Sequence, residues 1–132
     1  MENIQNRSLL YEQTADKALP AGALIPRGVY DGQLVEVLRF SNVWGKRLTF
    51  VFEITAGEHA GDRVTLSTSR TLSRYSKLGQ TVAALLGREL MEDELLYGYK
   101  PDNLKGVTCR LVLGRAATKA GKPYTTVENI LT

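Results

Sequence analysis

Residues 47–54 are Arg-Leu-Thr-Phe-Val-Phe-Glu-Ile, and apolar side chains stand at every second position of this octapeptide. Successive side chains of an extended strand point to opposite faces, so a period of two predicts a strand with one buried face. That face carries Leu48, Phe50, Phe52 and Ile54. The local pattern therefore predicts β-structure, and the flanking sequence determines what the strand pairs with.

Strands are predicted on both sides of residues 47–54. Gly28–Leu38 is rich in strand-forming residues, and Gly32 within it predicts a bulge or a sharp bend. Ala56–Asp62 contains two glycines and predicts a turn, after which Arg63–Ser69 predicts a third strand. Together these segments predict three consecutive strands in one sheet.

The apolar period changes after residue 70. Side chains spaced by three and four residues predict an amphipathic helix, and they are Leu72, Tyr75, Leu78, Val82, Leu85 and Leu86. Thr71 or Ser73 can cap the start of this helix, and Gly87 can end it. Because Tyr75 belongs to the apolar stripe, we expect it in the core. Glu89–Tyr97 fits a second short helix.

Two further strands are predicted at Val107–Leu113 and Tyr124–Leu131, separated by a basic hairpin loop over Gly114–Lys122. The order β-β-β-α-β-β is that of an OB-fold, a mainly all-β, five-stranded Greek-key barrel with a helix between strands 3 and 4. We expect residues 26–132 to form this domain. Residues 1–25 are polar and end in a proline- and glycine-containing boundary, so we expect a flexible or loosely docked N-terminal arm.

Composition favours one globular domain, since 132 residues with 43% apolar and 23% charged content are ordinary values. The only cysteine, Cys109, excludes an internal disulfide, and we expect it to be buried in a reducing cytoplasm. No apolar run approaches the roughly 20 residues that span a bilayer, and the start lacks the pattern of a signal peptide. We therefore expect a protein of the bacterial host cytoplasm that does not contact the membrane.

Basic residues are unevenly distributed, although the net charge is only +3. Residues 37–52, 63–88 and 103–127 contain bases but no acids, a pattern that favours a polyanionic partner. In the first of these segments the only tryptophan, Trp44, and Phe40 alternate with cations. Cations for phosphates and flat rings for bases are what a single-stranded nucleic acid requires.

OB barrels bind oligonucleotides with the face of strands 2 and 3 and with the loops that join strands 1–2 and 4–5. Here those loops are predicted at Phe40–Lys46 and Gly114–Lys122, where basic residues concentrate. Arg70 and Arg74 would extend the basic track, and Tyr124 suits a core or barrel-rim role as well as a stacking role. The predicted nucleic-acid-binding residues are Arg39, Phe40, Trp44, Lys46, Arg47, Arg70, Arg74, Arg115, Lys119, Lys122 and Tyr124.

Catalytic, metal and cofactor sites find little support in the sequence. His59 is the only histidine, so with one distant cysteine there is no zinc-binding set, and no nucleophile-elbow sequence occurs. Gly114–Lys122 differs from a phosphate-binding loop in its glycine spacing, and Pro123 follows where a magnesium ligand is required. We expect a protein without enzymatic activity, metal or cofactor.

The chain resembles a group of small phage and prophage proteins with an OB-fold and a single-stranded-DNA-binding role. The resemblance rests on the segments Pro26–Tyr30, Leu48–Ile54, Gly57–Val64, Leu104–Cys109 and Gly121–Tyr124. It implies DNA binding by the barrel during phage or mobile-element replication or recombination. Bacterial housekeeping single-strand binders end in an acidic tail that recruits partners, whereas this chain ends Val-Glu-Asn-Ile-Leu-Thr.

Two alternatives to single-stranded DNA binding stay open. The barrel could be a protein-interaction module that docks on a nucleic-acid-processing enzyme, with Trp44 as an interface anchor. RNA is a further ligand that the sequence leaves open. A replication or recombination protein is an expected partner, and the barrel edges and the N-terminal arm are compatible with a homodimer.

Overall fold

The computed structural model describes residues 24–43 and 45–131, and its five strands form one antiparallel sheet in the order β3-β2-β1-β4-β5. The strands are β1 (Gly28–Asn42), β2 (Gly45–Ile54), β3 (Arg63–Ser69), β4 (Thr108–Ala117) and β5 (Pro123–Leu131). Two α-helices and a 3₁₀ helix lie between β3 and β4: α1 (Lys77–Leu86), α2 (Glu92–Tyr97) and Pro101–Leu104. Within the described part, no helix is long and apolar enough to cross a membrane.

The topology confirms the predicted all-β class and the helix between strands 3 and 4. Strand β1 lies at the centre and pairs with β2 on one side and β4 on the other. The edge strands β3 and β5 approach each other, but the described residues form no ladder between them, so the sheet curves without closing. This arrangement is compatible with an OB-fold.

The core lies on the inward face of the sheet, under α1. The predicted inward face of β2 is confirmed, because Phe50, Phe52 and Ile54 are fully buried, but Thr49 and Val51 on the opposite face are buried as well. Leu34 of β1 pairs with Phe52, and Leu111 of β4 is also fully buried. Helix α1 closes the core from one side with buried residues of its apolar stripe: Leu78, Val82 and Leu85.

Gly32 has a different role from the predicted one. The bulge in β1 lies between Leu34 and Glu36, not at Gly32. A Cβ at Gly32 would stand 2.5 Å from the Leu111 Cδ1 atom, so the absence of a side chain lets β1 pack closely against β4.

Helix α1 starts later than predicted, at Lys77. Ser76 caps it by accepting a hydrogen bond from the Gly79 amide at 3.0 Å, while Ser73 and Ser76 bond each other's backbone amides. Tyr75 therefore precedes the helix, and with 84% of its surface exposed it is not the core residue that the periodicity predicts. Gly87 ends the helix in the left-handed conformation, as expected.

Both predicted ligand-binding loops are shorter than expected, because the hairpin strands continue into them. Phe40 pairs with Arg47 and Asn42 with Gly45, so most of the predicted loop Phe40–Lys46 is a β-ladder. Strand β4 likewise extends to Ala117. At the N-terminus, Ile25 is buried in the core, one residue before the predicted domain boundary, whereas residues 1–23 lie outside the described residues.

Candidate nucleic-acid interface

The outward face of β1, β2 and β3 ends in a surface of hydroxyl, aromatic and basic side chains. The strand register places Phe40, Arg47 and Ser69 in one row across the three strands. In the next row of this face, the buried Thr49 and the partly buried Ser67 are hydrogen-bonded through their hydroxyl groups at 3.0 Å, so only Phe40, Arg47 and Ser69 are available to a ligand directly. These rows contain no carboxylate, so this part of the sheet suits an anionic ligand.

Three cations meet at the edge of these rows. The Arg70 Nε atom donates a hydrogen bond to the Arg47 carbonyl at 3.2 Å, which ties the end of β3 to β2. The pKa of the Lys77 ammonium is lowered, first by partial burial and then by the charge of Arg47. Lys77 is also the first residue of α1, where the helix dipole disfavours a cation by about 0.3–1 kcal/mol. An anion bound here would relieve this repulsion.

None of these three cations has a carboxylate partner within residues 24–43 and 45–131, in contrast to several other arginines of the chain. The ion pairs of the described part are Arg39–Asp102, Arg63–Glu53, Arg74–Glu89 and Arg88–Glu94, together with His59–Asp62. These ion pairs neutralise cations elsewhere in the described part of the chain. The charges of Arg47, Arg70 and Lys77, at the β2–β3–α1 junction, are left uncompensated.

Arg39 is the predicted site residue most changed by the fold. It lies opposite Leu48, on the inward side of β1, and its guanidinium forms two hydrogen bonds to the Asp102 carboxylate of the 3₁₀ helix. This contact raises the pKa of Arg39 and lowers that of Asp102. Its charge is thereby compensated. Lys46, opposite Ser41, is exposed on the same side of the hairpin.

Arg74 pairs with Glu89 at 3.4 Å, but both side chains are exposed, so this ion pair contributes little and leaves the arginine accessible. It stands directly before Tyr75. Apolar periodicity places Tyr75 and Lys77 in the helix, so the sequence alone does not single them out as candidates for this surface. The spacing of Ser73, Ser76 and Gly79, which sets the helix start, was the signal that could have identified them.

The β4–β5 hairpin carries the remaining predicted residues. Lys119 and Lys122 are exposed in a tight turn in which the Lys122 amide donates to the Thr118 hydroxyl at 3.1 Å. Tyr124 lies opposite Ala116 and is 39% exposed. Arg115 is different, because its Nη2 atom donates to the Ile25 carbonyl at 3.0 Å. The structure thus uses Arg115 to hold the chain entering β1.

The two hairpins lie at opposite ends of β1. Gly28, at its start, pairs with Leu113 of β4, whereas Asn42, at its end, pairs with Gly45 of β2. One ligand that contacts both hairpins must therefore follow the sheet along β1. Phe40, Arg47, Arg70 and Lys77 are brought together, and the lysines of the β4–β5 turn are not part of that group. Trp44 lies outside the described residues.

Comparisons with known proteins add no assignment. The chain matches no model of a protein family, and the curated proteins also contain no match. Among the described residues, no group of three or more histidine, cysteine or acidic side chains is arranged to hold a metal ion. The chemistry available at the β2–β3–α1 junction is therefore that of cations, hydroxyl groups and rings.

Proposed function

We propose that this protein is a non-enzymatic single-stranded-DNA-binding protein whose affinity depends little on base sequence. The observation that carries the proposal is the group of cations Arg47, Arg70 and Lys77, which have no carboxylate partner in the described part of the chain, with the partly exposed ring of Phe40 opposite Arg47. Tyr75, two residues before Lys77 in the chain, adds an exposed ring. Cations bind the phosphates, and rings stack on bases whatever their identity.

The lysines of the β4–β5 turn and Tyr124 lie in the other hairpin, at the opposite end of β1, and the outward face between the two ends carries the acids Asp31 and Glu36. The interface is therefore centred on the end of the sheet that carries Arg47, Arg70 and Lys77. The resemblance to phage and prophage proteins supports a role in phage or mobile-element DNA replication or recombination, in the cytoplasm of the bacterial host. A replication or recombination protein is then the expected partner.

The test is the intrinsic fluorescence of Trp44 during titration with a single-stranded oligonucleotide at low and moderate salt. Since Trp44 is the only tryptophan, its signal reports on a single position of the chain. We expect quenching that weakens steeply as salt rises, and a Trp44→Ala variant with reduced affinity. Unchanged fluorescence, together with no complex in a mobility assay, would reject the proposal. Parallel titrations with RNA and with duplex DNA establish which nucleic acid binds best.

A second candidate function, a module that docks on a nucleic-acid-processing enzyme, is favoured by the surface of α2. Leu96 and Tyr97 are 72% and 81% exposed, and Met91, before the helix, is also exposed. Exposed apolar side chains beside the acids Glu92 and Asp93 are typical of a protein-binding surface. Binding of a protein partner that is insensitive to salt, with no DNA binding by the protein alone, would select this function.

A further inference from the structure

A cleft lies where the sheet fails to close, between the edge strands β3 and β5 and under helix α1. It encloses about 120 Å³ and opens to solvent on one side. Leu66 of β3, Ala84 of α1 and Ile130 of β5 supply apolar walls. Lys77 and Gln80 of α1 and Asn129 of β5 supply polar groups. The cleft therefore combines apolar surfaces with polar groups, as small-ligand sites do.

The size of the cleft limits what it can hold. A closed apolar cavity of about 150 Å³ accommodates benzene. A cleft of 120 Å³ that is open on one side therefore accepts one six-membered ring, with the rest of the ligand outside. A purine has two fused rings and fits less completely than a pyrimidine.

The hydrogen bonds of the two amide side chains that line the cleft, Gln80 and Asn129, leave both acceptors and donors available. The Gln80 Nε2 atom donates to the Tyr75 carbonyl at 3.2 Å, so its Oε1 atom is left to accept a hydrogen bond. The Asn129 Oδ1 atom accepts from the Ile130 amide at 2.9 Å, which leaves its Nδ2 atom to donate. The Watson–Crick edge of a pyrimidine presents an adjacent donor and acceptor, the complementary pair.

Charge around the cleft also favours a nucleotide. Lys77 belongs both to the cleft and to the cation group with Arg47, so a phosphate attached to the bound ring has a cation beside it. Glu128 also lines the cleft, but its carboxylate lies over Gly114 of β4, where a Cβ atom at Gly114 would stand 1.8 Å from the Oε2 atom. The negative charge is thus directed toward the adjacent strand.

We propose that this cleft binds one pyrimidine base of a single-stranded nucleic acid, with its phosphate against Lys77 and Arg47. The proposal rests on the proposed function and deepens it, because it adds a base-binding position on the α1 side of the sheet. The protein then binds pyrimidine-rich strands more tightly than purine-rich strands, while the phosphate and stacking contacts remain independent of sequence.

The experiment fills the cleft and leaves every charge in place. An Ala84→Leu variant puts a larger side chain into the cleft, and Ala83→Leu, the neighbouring position of the same helix outside the cleft, is the matched control. Affinities of the wild-type protein and both variants are measured for oligo(dT), oligo(dA) and an abasic strand of equal length. Oligo(dA) stacks on itself, and this affects its binding to the wild-type protein and the variants alike. The readout is therefore the change that a variant causes in the ratio of oligo(dT) affinity to oligo(dA) affinity, and not the ratio of the wild-type protein.

We expect Ala84→Leu to weaken oligo(dT) binding about five- to tenfold, to change abasic-strand binding less than twofold, and to reduce the dT-to-dA ratio. Ala83→Leu should leave all three affinities unchanged. A Gln80→Met variant removes the acceptor and also the hydrogen bond to the Tyr75 carbonyl. It should reproduce both the loss for oligo(dT) and the lower dT-to-dA ratio, and the ratio decides the question if Ala84→Leu is poorly folded, because stacking on Tyr75 is independent of the base.

Two outcomes overturn the inference separately from the function. If the wild-type protein binds oligo(dT) but Ala84→Leu and Gln80→Met bind it equally well, the cleft holds no base and the DNA-binding proposal stands. If all strands lose affinity by the same factor in Ala84→Leu and not in Gln80→Met, the substitution acts on the fold, and the base-binding position is also rejected. If the wild-type protein binds no single strand, both proposals fail together.

Discussion

Neutralising Arg47 and Lys77 should reduce the salt dependence of single-strand binding. The double variant Arg47→Gln, Lys77→Gln removes two charges from the junction of β2, β3 and α1, where neither residue has a carboxylate partner in the described part of the chain. Both side chains are at least partly exposed, so the neutral amides should be tolerated by the fold. The effect should therefore appear in binding and not in stability.

The magnitude follows from counterion release. Three accessible cations on this surface, Arg47, Arg70 and Lys77, give a slope of log affinity against log salt of about −2.1, since each phosphate contact to a single strand contributes about −0.7. Affinity should then fall about 18-fold between roughly 50 and 200 mM salt. With two cations removed, the slope becomes about −0.7 and the same change in salt costs only about threefold.

Fluorescence anisotropy of a labelled single-stranded oligonucleotide at several salt concentrations measures the slope. The control double variant is Arg27→Gln, Arg110→Gln, which changes net charge equally. Arg110 is opposite Asp31, nine positions along β1 from Phe40, or about 30 Å from the cation group at roughly 3.3 Å per residue. Equal slopes in the two double variants would refute the reasoning, because binding would then depend on net charge and not on this surface.

Three further predictions concern the ring, the core and the pH dependence. Tyr75→Ala should weaken single-strand binding by about 1–3 kcal/mol without lowering the melting temperature, since the ring is 84% exposed; unchanged affinity would exclude stacking. Gly32→Ala should lower the free energy of unfolding by about 1–3 kcal/mol in urea titrations, because the new Cβ meets the buried Leu111 side chain; a change below about 0.5 kcal/mol would show that the strands can separate. Hydrogen bonds from Arg88 and then from a backbone amide lower the pKa of Glu94 from 4.5 to about 2, so its stabilising contribution is present above pH 4.5 and is lost as pH falls toward 2. In the Glu94→Gln variant, the urea midpoint of unfolding should depend less on pH in that range than it does in the wild-type protein. Parallel pH profiles of the two proteins would contradict this assignment.

Local sequence was sufficient to predict the strands, because they are marked by apolar side chains at every second position and by residues that favour β-structure. The bounds of β3 were predicted correctly at Arg63–Ser69. The β1–β2 hairpin was predicted too short, because Ser41, Asn42 and Gly45 are turn-forming residues in isolation. Cross-strand pairing of Phe40 with Arg47 keeps the backbone extended past these residues, and pairing between strands is not visible in either strand alone.

The start of α1 shows a different limit. Apolar spacing carried the predicted helix back to Leu72, but the Ser76 hydroxyl accepts from the Gly79 amide and thereby supplies a cap four residues later. A Cβ at Gly79 would overlap the Ser73 carbonyl oxygen at 1.8 Å, so the segment folds back onto the first helical turn only because that side chain is absent. The apolar period shows which face of a helix is buried, whereas the capping residue shows where the helix begins. Tyr75 lies between Leu72, where the apolar spacing starts, and the cap Ser76.

The fold also separates cations that look equivalent in the sequence. Arg39 and Arg47 occur in the same acid-free segment, yet the register turns them to opposite faces of the sheet. Arg39 forms an ion pair with Asp102, 63 residues away, so its charge is neutralised within the protein. Arg47 lies near Lys77 instead, and its charge remains uncompensated. Long-range pairing of this kind cannot be read from charge runs. The number of cations available to a polyanion is therefore set by the tertiary structure, and the measured salt slope is the quantity that counts them.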